Sequence, residues 1–139
     1  LFRKNLYDTI KNRAEEKTIA VMGTCAGCVL VSSRIIEESK DITLLSLMDM
    51  KVKRNAFGRQ RESFERMIQI KGFSDDFPAV FIRAPVIQSI WGNCQALSSV
   101  DEGIVMAEEE NTLALSFHPE LTSDTRIHEY FYQIVCKYK

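Results

Sequence analysis

The feature that most constrains the fold is a short apolar run, Thr18–Met22, followed at once by the small-residue turn Gly23-Thr24-Cys25-Ala26-Gly27. The run predicts a buried strand, and the residues from Ala26 to about Ser39 have the composition of a helix. A strand, a tight turn and a helix in this order are typical of α/β folds. The middle residue of such a turn stands clear of the sheet, as nucleophiles do in nucleophile elbows.

The turn itself predicts a candidate nucleophile, Cys25. The flanking glycines are expected to let the backbone turn sharply. A thiol at the first turn of a helix lies near unpaired N–H groups, which favour the thiolate, and the N–H of Ala26 can donate to an oxyanion. The alternative is a glycine-rich turn around an inert, buried cysteine.

The rest of the chain predicts a mixed sheet framed by helices. Leu1 to about Glu16 reads as an amphipathic helix that packs on the sheet through Leu1, Leu6, Ile10 and Ala14. Asp124 to Tyr138 reads as a closing helix that Asp124 caps. Short segments rich in Val, Ile, Leu and Phe are predicted strands: Met48–Arg54, Phe64–Ile70, Ala79–Ile82, Cys94–Ser98, Gly103–Ala107 and Thr112–Phe117.

A second candidate motif, Phe117-His118-Pro119-Glu120, follows the last predicted strand. Residues two apart on an extended chain point to the same side, so Glu120 can accept from one imidazole nitrogen of His118. Pro119 cannot donate to a strand ladder, which puts the pair at the end of the strand, where active sites of α/β sheets lie. The motif predicts a general base with its orienting carboxylate; a surface His–Glu pair is the alternative.

Other residues leave more than one interpretation open. Cys25 and Cys28 form a C-x-x-C, which suggests zinc or redox chemistry, but no second ligand pair follows at zinc spacing. His128 is expected to be a structural residue of the closing helix. The basic residues near predicted strand ends could hold a substrate carboxylate or pair with an acidic neighbour: these are Arg54, Arg59, Arg61 and Arg83.

Composition narrows the class of protein. The 139 residues, 45% of them hydrophobic, fit one domain over residues 1–139 with its own core. Because 18 basic and 19 acidic side chains are spread along the chain, we expect neither a nucleic-acid nor a membrane partner. No apolar run approaches the roughly 20 residues of a membrane helix. Four cysteines in a chain with an ample core are expected to be reduced, cytoplasmic thiols.

Together these motifs resemble one family, the glutaminase subunit of the two-component pyridoxal 5′-phosphate synthase, a class I triad glutamine amidotransferase. The resemblance runs from about Ile19 to Tyr138. The turn around Cys25 and the His-Pro-Glu motif are shared by many triad amidotransferases. Two further segments narrow the resemblance to this subunit: Arg-Asn-Ala-Phe-Gly-Arg-Gln at 54–60, with Glu-Ser-Phe-Glu at 62–65, and Val-Phe-Ile-Arg-Ala-Pro at 80–85.

The resemblance implies a three-layer, flavodoxin-like α/β fold and a role for each motif. Cys25 would attack the side-chain amide of L-glutamine, His118 would act as general base and then acid, and Glu120 would orient it. Arg54, Ile82 and Arg83 would contact the glutamine. Ammonia would pass through a protein tunnel to a (β/α)₈ synthase subunit, and no cofactor or metal is implied for the glutaminase.

Departures from the family pattern set further expectations. The resemblance implies N-terminal strands and a Gly-Gly-Glu-Ser loop that this sequence does not contain, so the chain is expected to be an N-terminally truncated form with part of its oxyanion hole missing. Ser46 replaces an expected Gly, and Cys28 replaces an aliphatic residue. A different triad amidotransferase and a non-catalytic binding subunit are the competing interpretations.

Overall fold

The computed structural model describes residues 2–36, 42–57 and 63–138, which form an α/β fold. Its elements are α1 (Phe2–Glu15), β1 (Val21–Thr24), α2 (Ala26–Val31), β2 (Ser32–Ile35), β3 (Met48–Lys53), β4 (Ser63–Ile68), β5 (Phe77–Ile82), β6 (Val86–Ile90), β7 (Gln95–Val100), β8 (Gly103–Glu109), β9 (Thr112–Leu115), a 3₁₀ turn (Pro119–Leu121) and α3 (Arg126–Lys137).

Within the described residues the main sheet has seven strands and is mixed, as predicted. Its order is β1-β9-β8-β6-β3-β2, with β7 pairing on β8. The β1–β9 and β2–β3 pairs are parallel, whereas the pairs between them are antiparallel. The strands β4 and β5 form a separate antiparallel pair. Because β1 and β9 are parallel neighbours, their carboxyl ends lie side by side.

Hydrophobic residues form a cluster on each face of the main sheet. Ile127 and Ile134 of α3 join one cluster together with the β4–β5 pair, and α1 and α2 contribute to the other. The strand β9 shows the division, because Leu113 and Leu115 face the α3 side and Ala114 faces the α2 side. The sheet is therefore the middle of three layers.

Helix α1 packs on the sheet as predicted, through Ile10 and Ala14 of the predicted face, whereas Leu1 lies outside the described residues. Tyr7, Ile10 and Ala14 point inward, whereas Leu6 is 53% exposed, so its predicted place on the packed face is wrong. The helix ends in a Schellman motif, in which the N–H groups of Lys17 and Thr18 donate to the carbonyls of Ala14 and Arg13. This motif keeps Thr18 out of β1, which begins three residues later than predicted.

The structure differs from the prediction at two other places. The helix predicted from Ala26 to about Ser39 ends at Val31, because the chain then pairs with β3 as β2 and Ser33 Oγ donates to the Met48 carbonyl. Residues 37–41, including Ser39, lie outside the described residues. The strand β6 was not predicted because its burial does not alternate: Val86 and Ile87 are both buried.

The closing helix α3 is present, but Asp124 is not its N-cap residue as predicted. It lies one residue before the N-cap and still stabilises the start of the helix. Thr125 is the N-cap residue, and the Asp124 carboxylate accepts from both the backbone N–H and the side chain of Arg126. The Arg126 guanidinium also donates to the carbonyls of Asp75 and Asp76. These bonds tie the start of α3 to the loop before β5.

Candidate active site

The nucleophile turn, residues 23–27, joins the carboxyl end of β1 to α2. Cys25 is the N-cap residue of α2 and has φ 55° and ψ −108°. This conformation is costly for a residue with a side chain and is common at functional sites. The Cys25 N–H donates to the Leu115 carbonyl over 2.9 Å, which ties the turn to the end of β9. The main chain therefore fixes where the thiol lies.

The two glycines of this turn were predicted to let the backbone turn sharply, but they do not carry its unusual torsion. Neither has a positive φ; the unusual torsion falls on Cys25 itself. A Cβ on Gly23 would lie 2.4 Å from the Gly27 carbonyl oxygen, so Gly23 is required for the close approach of strand and helix. A Cβ on Gly27 would meet no atom within 4 Å. Open space therefore lies in front of Gly27.

The Cys25 thiol donates to the carbonyl oxygen of Ile82, with 3.4 Å between Sγ and O. Burial raises the pKa of Cys25, the Ala26 N–H lowers it, and the negative charge of Glu120 raises it further, so that the net shift is upward. The start of the helix does favour the thiolate through the Ala26 N–H, as expected, but this effect is smaller than that of burial. Burial outweighs a helix of only six residues.

The His118 and Glu120 side chains lie together at the end of β9. Their Nδ1 and Oε2 atoms are 2.7 Å apart. Burial raises the pKa of the Glu120 carboxyl, but hydrogen bonds from its own backbone N–H and from His118, with the charges of His118 and His128, lower it overall. An ionised carboxylate only accepts, so Nδ1 carries the hydrogen of this contact.

The strand β5 links this pair to the nucleophile turn. The His118 N–H donates to the Val80 carbonyl over 2.8 Å, and two residues further along the strand the Ile82 carbonyl accepts from the Cys25 thiol. Carbonyls two residues apart on a strand point to the same side. These main-chain acceptors were not predicted, because a carbonyl carries no signal in a sequence.

The two remaining predicted arginines that the structure describes lie directly after the strands β3 and β5. Arg54 is exposed directly after β3, and Arg83 is exposed directly after β5 with φ 46°. A hydrogen bond from the Ala56 N–H to the Ala84 carbonyl brings the two arginine segments together. Arg59 and Arg61 lie outside the described residues, as do the other residues of 58–62.

The structure gives the positions of the cysteines, of His128 and of Ser46, whose roles the sequence did not decide. Cys28 is fully buried on the α2 side of the sheet, and all four cysteines are free thiols. The described part of the chain contains no cluster of three His, Cys, Asp or Glu side chains that could hold a metal ion. His128 lies on the exposed face of α3. Ser46, where the family pattern has Gly, has φ 52°, a conformation that Gly adopts without strain.

No helix formed by residues 2–36, 42–57 or 63–138 has the length and apolar character needed to cross a membrane.

Comparison with known proteins gives one consistent family. The family model described as "SNO glutamine amidotransferase family" matches residues 1–137. The pyridoxal 5′-phosphate synthase subunit PdxT of Thermosipho africanus is 45% identical over 133 residues, which are 96% of this chain and 69% of that protein. PdxT of Halalkalibacterium halodurans is 53% identical over 115 residues, which are 83% of this chain and 58% of that protein.

A solved structure gives the same result for the fold. The structure titled "Crystal structure of glutamine amidotransferase" superposes with a TM-score of 0.86 at 38% identity, covering 94% of this chain and 68% of that one. The chain thus spans between 58% and 69% of the length of the relatives described here. The fold and the enzyme class predicted from the motifs are confirmed, and the chain belongs to the SNO glutamine amidotransferase family.

Proposed function

We propose that this protein is the glutaminase subunit of a pyridoxal 5′-phosphate synthase and hydrolyses L-glutamine to glutamate and ammonia. The observation that carries the proposal is the convergence of the Cys25 turn and the His118–Glu120 pair at the ends of two adjacent parallel strands. Relatives named as PdxT subunits of pyridoxal 5′-phosphate synthase supply the biological setting.

In the proposed reaction the Cys25 sulfur attacks the side-chain amide carbon of glutamine. His118 Nε2 accepts the thiol proton and delivers it to the departing nitrogen, which leaves as ammonia. The Ala26 N–H, which already lies close enough to the Cys25 sulfur to lower the thiol pKa, donates to the oxyanion. Water then attacks the glutamyl thioester with His118 as base, and glutamate is released.

Arg54, Arg83 and Ile82 are proposed to bind the glutamine. The two guanidinium groups are exposed at neighbouring chain segments, where one of them can hold the α-carboxylate of glutamine in a bidentate pair. The Ile82 carbonyl is a hydrogen-bond acceptor suited to the α-ammonium group. Open space in front of Gly27 gives the substrate room beside the nucleophile.

The ammonia is proposed to pass directly to a synthase subunit, expected to be a (β/α)₈ barrel. Transfer within a complex keeps the ammonia uncharged and nucleophilic, because water would protonate it. We also propose that the protein works in the cytoplasm, since its four cysteines are free thiols.

The test of this function is glutamate release by the full-length protein mixed with its synthase partner and glutamine. Wild-type protein should release glutamate, and Cys25→Ala should not. Cys136→Ala, which removes an exposed thiol on α3, is the matched control and should retain wild-type activity. Equal glutamate release by the Cys25→Ala variant would contradict the proposal. Cys25-dependent glutamate release with delivery of the ammonia to a different acceptor subunit would indicate another triad amidotransferase.

A further inference from the structure

The state of the nucleophile in this structure is defined by a main-chain carbonyl. Cys25 Sγ is half-buried and donates to the Ile82 oxygen at 3.4 Å. A thiol has one hydrogen, so a thiol that donates to Ile82 does not donate to His118. The proton that the reaction must remove is therefore hydrogen-bonded to a carbonyl oxygen, which is too weak a base to take it up.

The Ile82 carbonyl is held in place by the surrounding fold. Ile82 pairs with Ser63 across the β4–β5 pair, and its neighbour Phe81 is fully buried in the core. The chain then turns at Arg83, which has φ 46°. Because the strand is anchored before and after this point, the carbonyl is a fixed acceptor in front of the thiol.

The electrostatics of the site favour the neutral form of Cys25. A thiolate has no hydrogen to donate, so it would face the partial negative charge of the Ile82 oxygen with no hydrogen bond to that oxygen. Burial raises the pKa of Cys25, the Ala26 N–H opposes this shift without cancelling it, and the Glu120 carboxylate adds to it. The contact and the surrounding charges therefore act in the same direction.

We propose that the Ile82 carbonyl is a positioning group that holds Cys25 as a neutral thiol, and that the thiol transfers its proton to His118 only after glutamine displaces it from this carbonyl. The inference rests on the proposed function, in which Ile82 contacts the substrate. The α-ammonium group of glutamine is a charged donor and bonds this oxygen more strongly than a weakly donating S–H does, so substrate entry releases the S–H to His118. The sulfur lone pair attacks the amide carbon as the proton moves to Nε2.

The first test follows alkylation of Cys25 by iodoacetamide as a function of pH, in the full-length protein without glutamine. Mass spectrometry of the proteolytic peptide assigns the adduct to Cys25 or Cys28, and Cys25→Ser confirms it. In denatured protein the alkylation rate of Cys25 levels off once the thiol is ionised. In the folded protein we expect the rate to keep rising above that pH. His118→Ala should leave this profile unchanged. A fast plateau near neutral pH that His118→Ala abolishes would indicate a preformed thiolate–imidazolium pair and overturn the inference.

The second test weakens the carbonyl itself. Incorporating the α-hydroxy analogue of arginine at position 83 turns the Ile82–Arg83 peptide into an ester, whose carbonyl is a poorer acceptor, while the side chain stays. Alkylation of Cys25 at neutral pH should then become about fivefold faster, the factor that corresponds to one net hydrogen bond. An unchanged rate would show that the Ile82 carbonyl does not hold Cys25 as a neutral thiol.

The two proposals can fail separately. Alkylation requires no turnover, so the thiol can prove to be neutral in a protein that releases no glutamate. Conversely, Cys25-dependent glutamate release together with a neutral-pH alkylation plateau would leave the glutaminase function standing and exclude the role of Ile82.

Discussion

The nucleophile turn and the turn that carries His118 and Glu120 lie at the ends of adjacent strands, but they are held in different ways. In the nucleophile turn the main chain sets the geometry: Cys25 has a positive φ, its N–H is bonded to Leu115, and Gly23 leaves no room for a side chain. A single added carbon at Gly23 would collide with backbone atoms. This turn has little freedom to adjust.

The His118–Glu120 turn depends instead on a contact between side chains. The His118 side chain is 22% exposed and that of Glu120 is 52% exposed, and their 2.7 Å contact fixes the orientation of the ring. A buried Pro119 anchors the chain between them. The fold therefore positions the nucleophile, whereas a solvent-accessible hydrogen bond between two side chains positions the base. Substitutions in the two turns should therefore affect different properties.

The largest expected effect is loss of catalysis without loss of the fold in His118→Ala. Removal of the general base should lower kcat for glutamate release by about 10³-fold. The unfolding transition should change little, because no buried side chain is removed. His128→Ala is the matched control: the charge of this exposed histidine on α3 also lowers the Glu120 pKa, but solvent screens it, so kcat should change less than about twofold. Comparable losses in both variants would argue against a specific role of His118.

In the nucleophile turn we expect Gly23→Ala to destabilise the protein, because the added Cβ would lie 2.4 Å from the Gly27 oxygen and 2.7 Å from the Gly27 carbonyl carbon. The cost of such overpacking is about 3 kcal/mol. Gly27→Ala is the matched variant, and because its Cβ meets no atom, stability should stay the same or rise by up to about 1 kcal/mol. Urea unfolding of the three proteins measures the difference, and equal stabilities would refute the assigned role of Gly23.

A smaller effect is expected for Glu120→Gln. A buried carboxylate that orients a catalytic histidine is worth about 10⁴ in kcat, but solvent around Glu120 weakens its pairing, so a loss of about 10²-fold is the expected result. The loss should appear mainly in kcat, because Glu120 is not placed against the glutamine. A wild-type kcat in this variant would show that the orienting contact is not used in catalysis.

The smallest effect concerns pH. The Glu120 pKa is lowered in the folded protein, so its stabilising contribution is complete above the ordinary glutamic acid value, about 4.3, and is lost as the pH falls through the lowered value. The stability difference between wild type and Glu120→Gln should therefore shrink below about pH 4. The difference between wild type and Gly23→Ala involves no titrating group and should persist over the same range. Urea titrations at neutral and acidic pH test both statements.

How much of the molecule could be predicted depends on how local each feature is. The strand, turn and helix around Cys25 and the alternation that brings His118 to Glu120 are set by a few consecutive residues, and both geometries are present. The strand β2 could not be predicted, because its residues continue a helical pattern and adopt a strand only by pairing with β3. Tertiary contacts override local propensity there.

The electrostatics of the site were the hardest part to foresee. The sequence places Cys25 at the start of a helix, which by itself favours the thiolate. The upward shift of its pKa comes from burial and from Glu120, a residue 95 positions away along the chain. The acceptor of the thiol, Ile82, acts through its main chain. Neither influence leaves a pattern in the residue types.

The most direct test of the central claim is mass spectrometry of the full-length protein, quenched with acid during turnover of glutamine in the presence of its synthase partner. We expect a glutamyl thioester on Cys25 in the wild-type protein. The adduct should be absent from Cys25→Ala and present in Cys136→Ala. Sustained release of glutamate from wild-type protein with no adduct on Cys25, or with the adduct on another residue, would show that Cys25 is not the nucleophile.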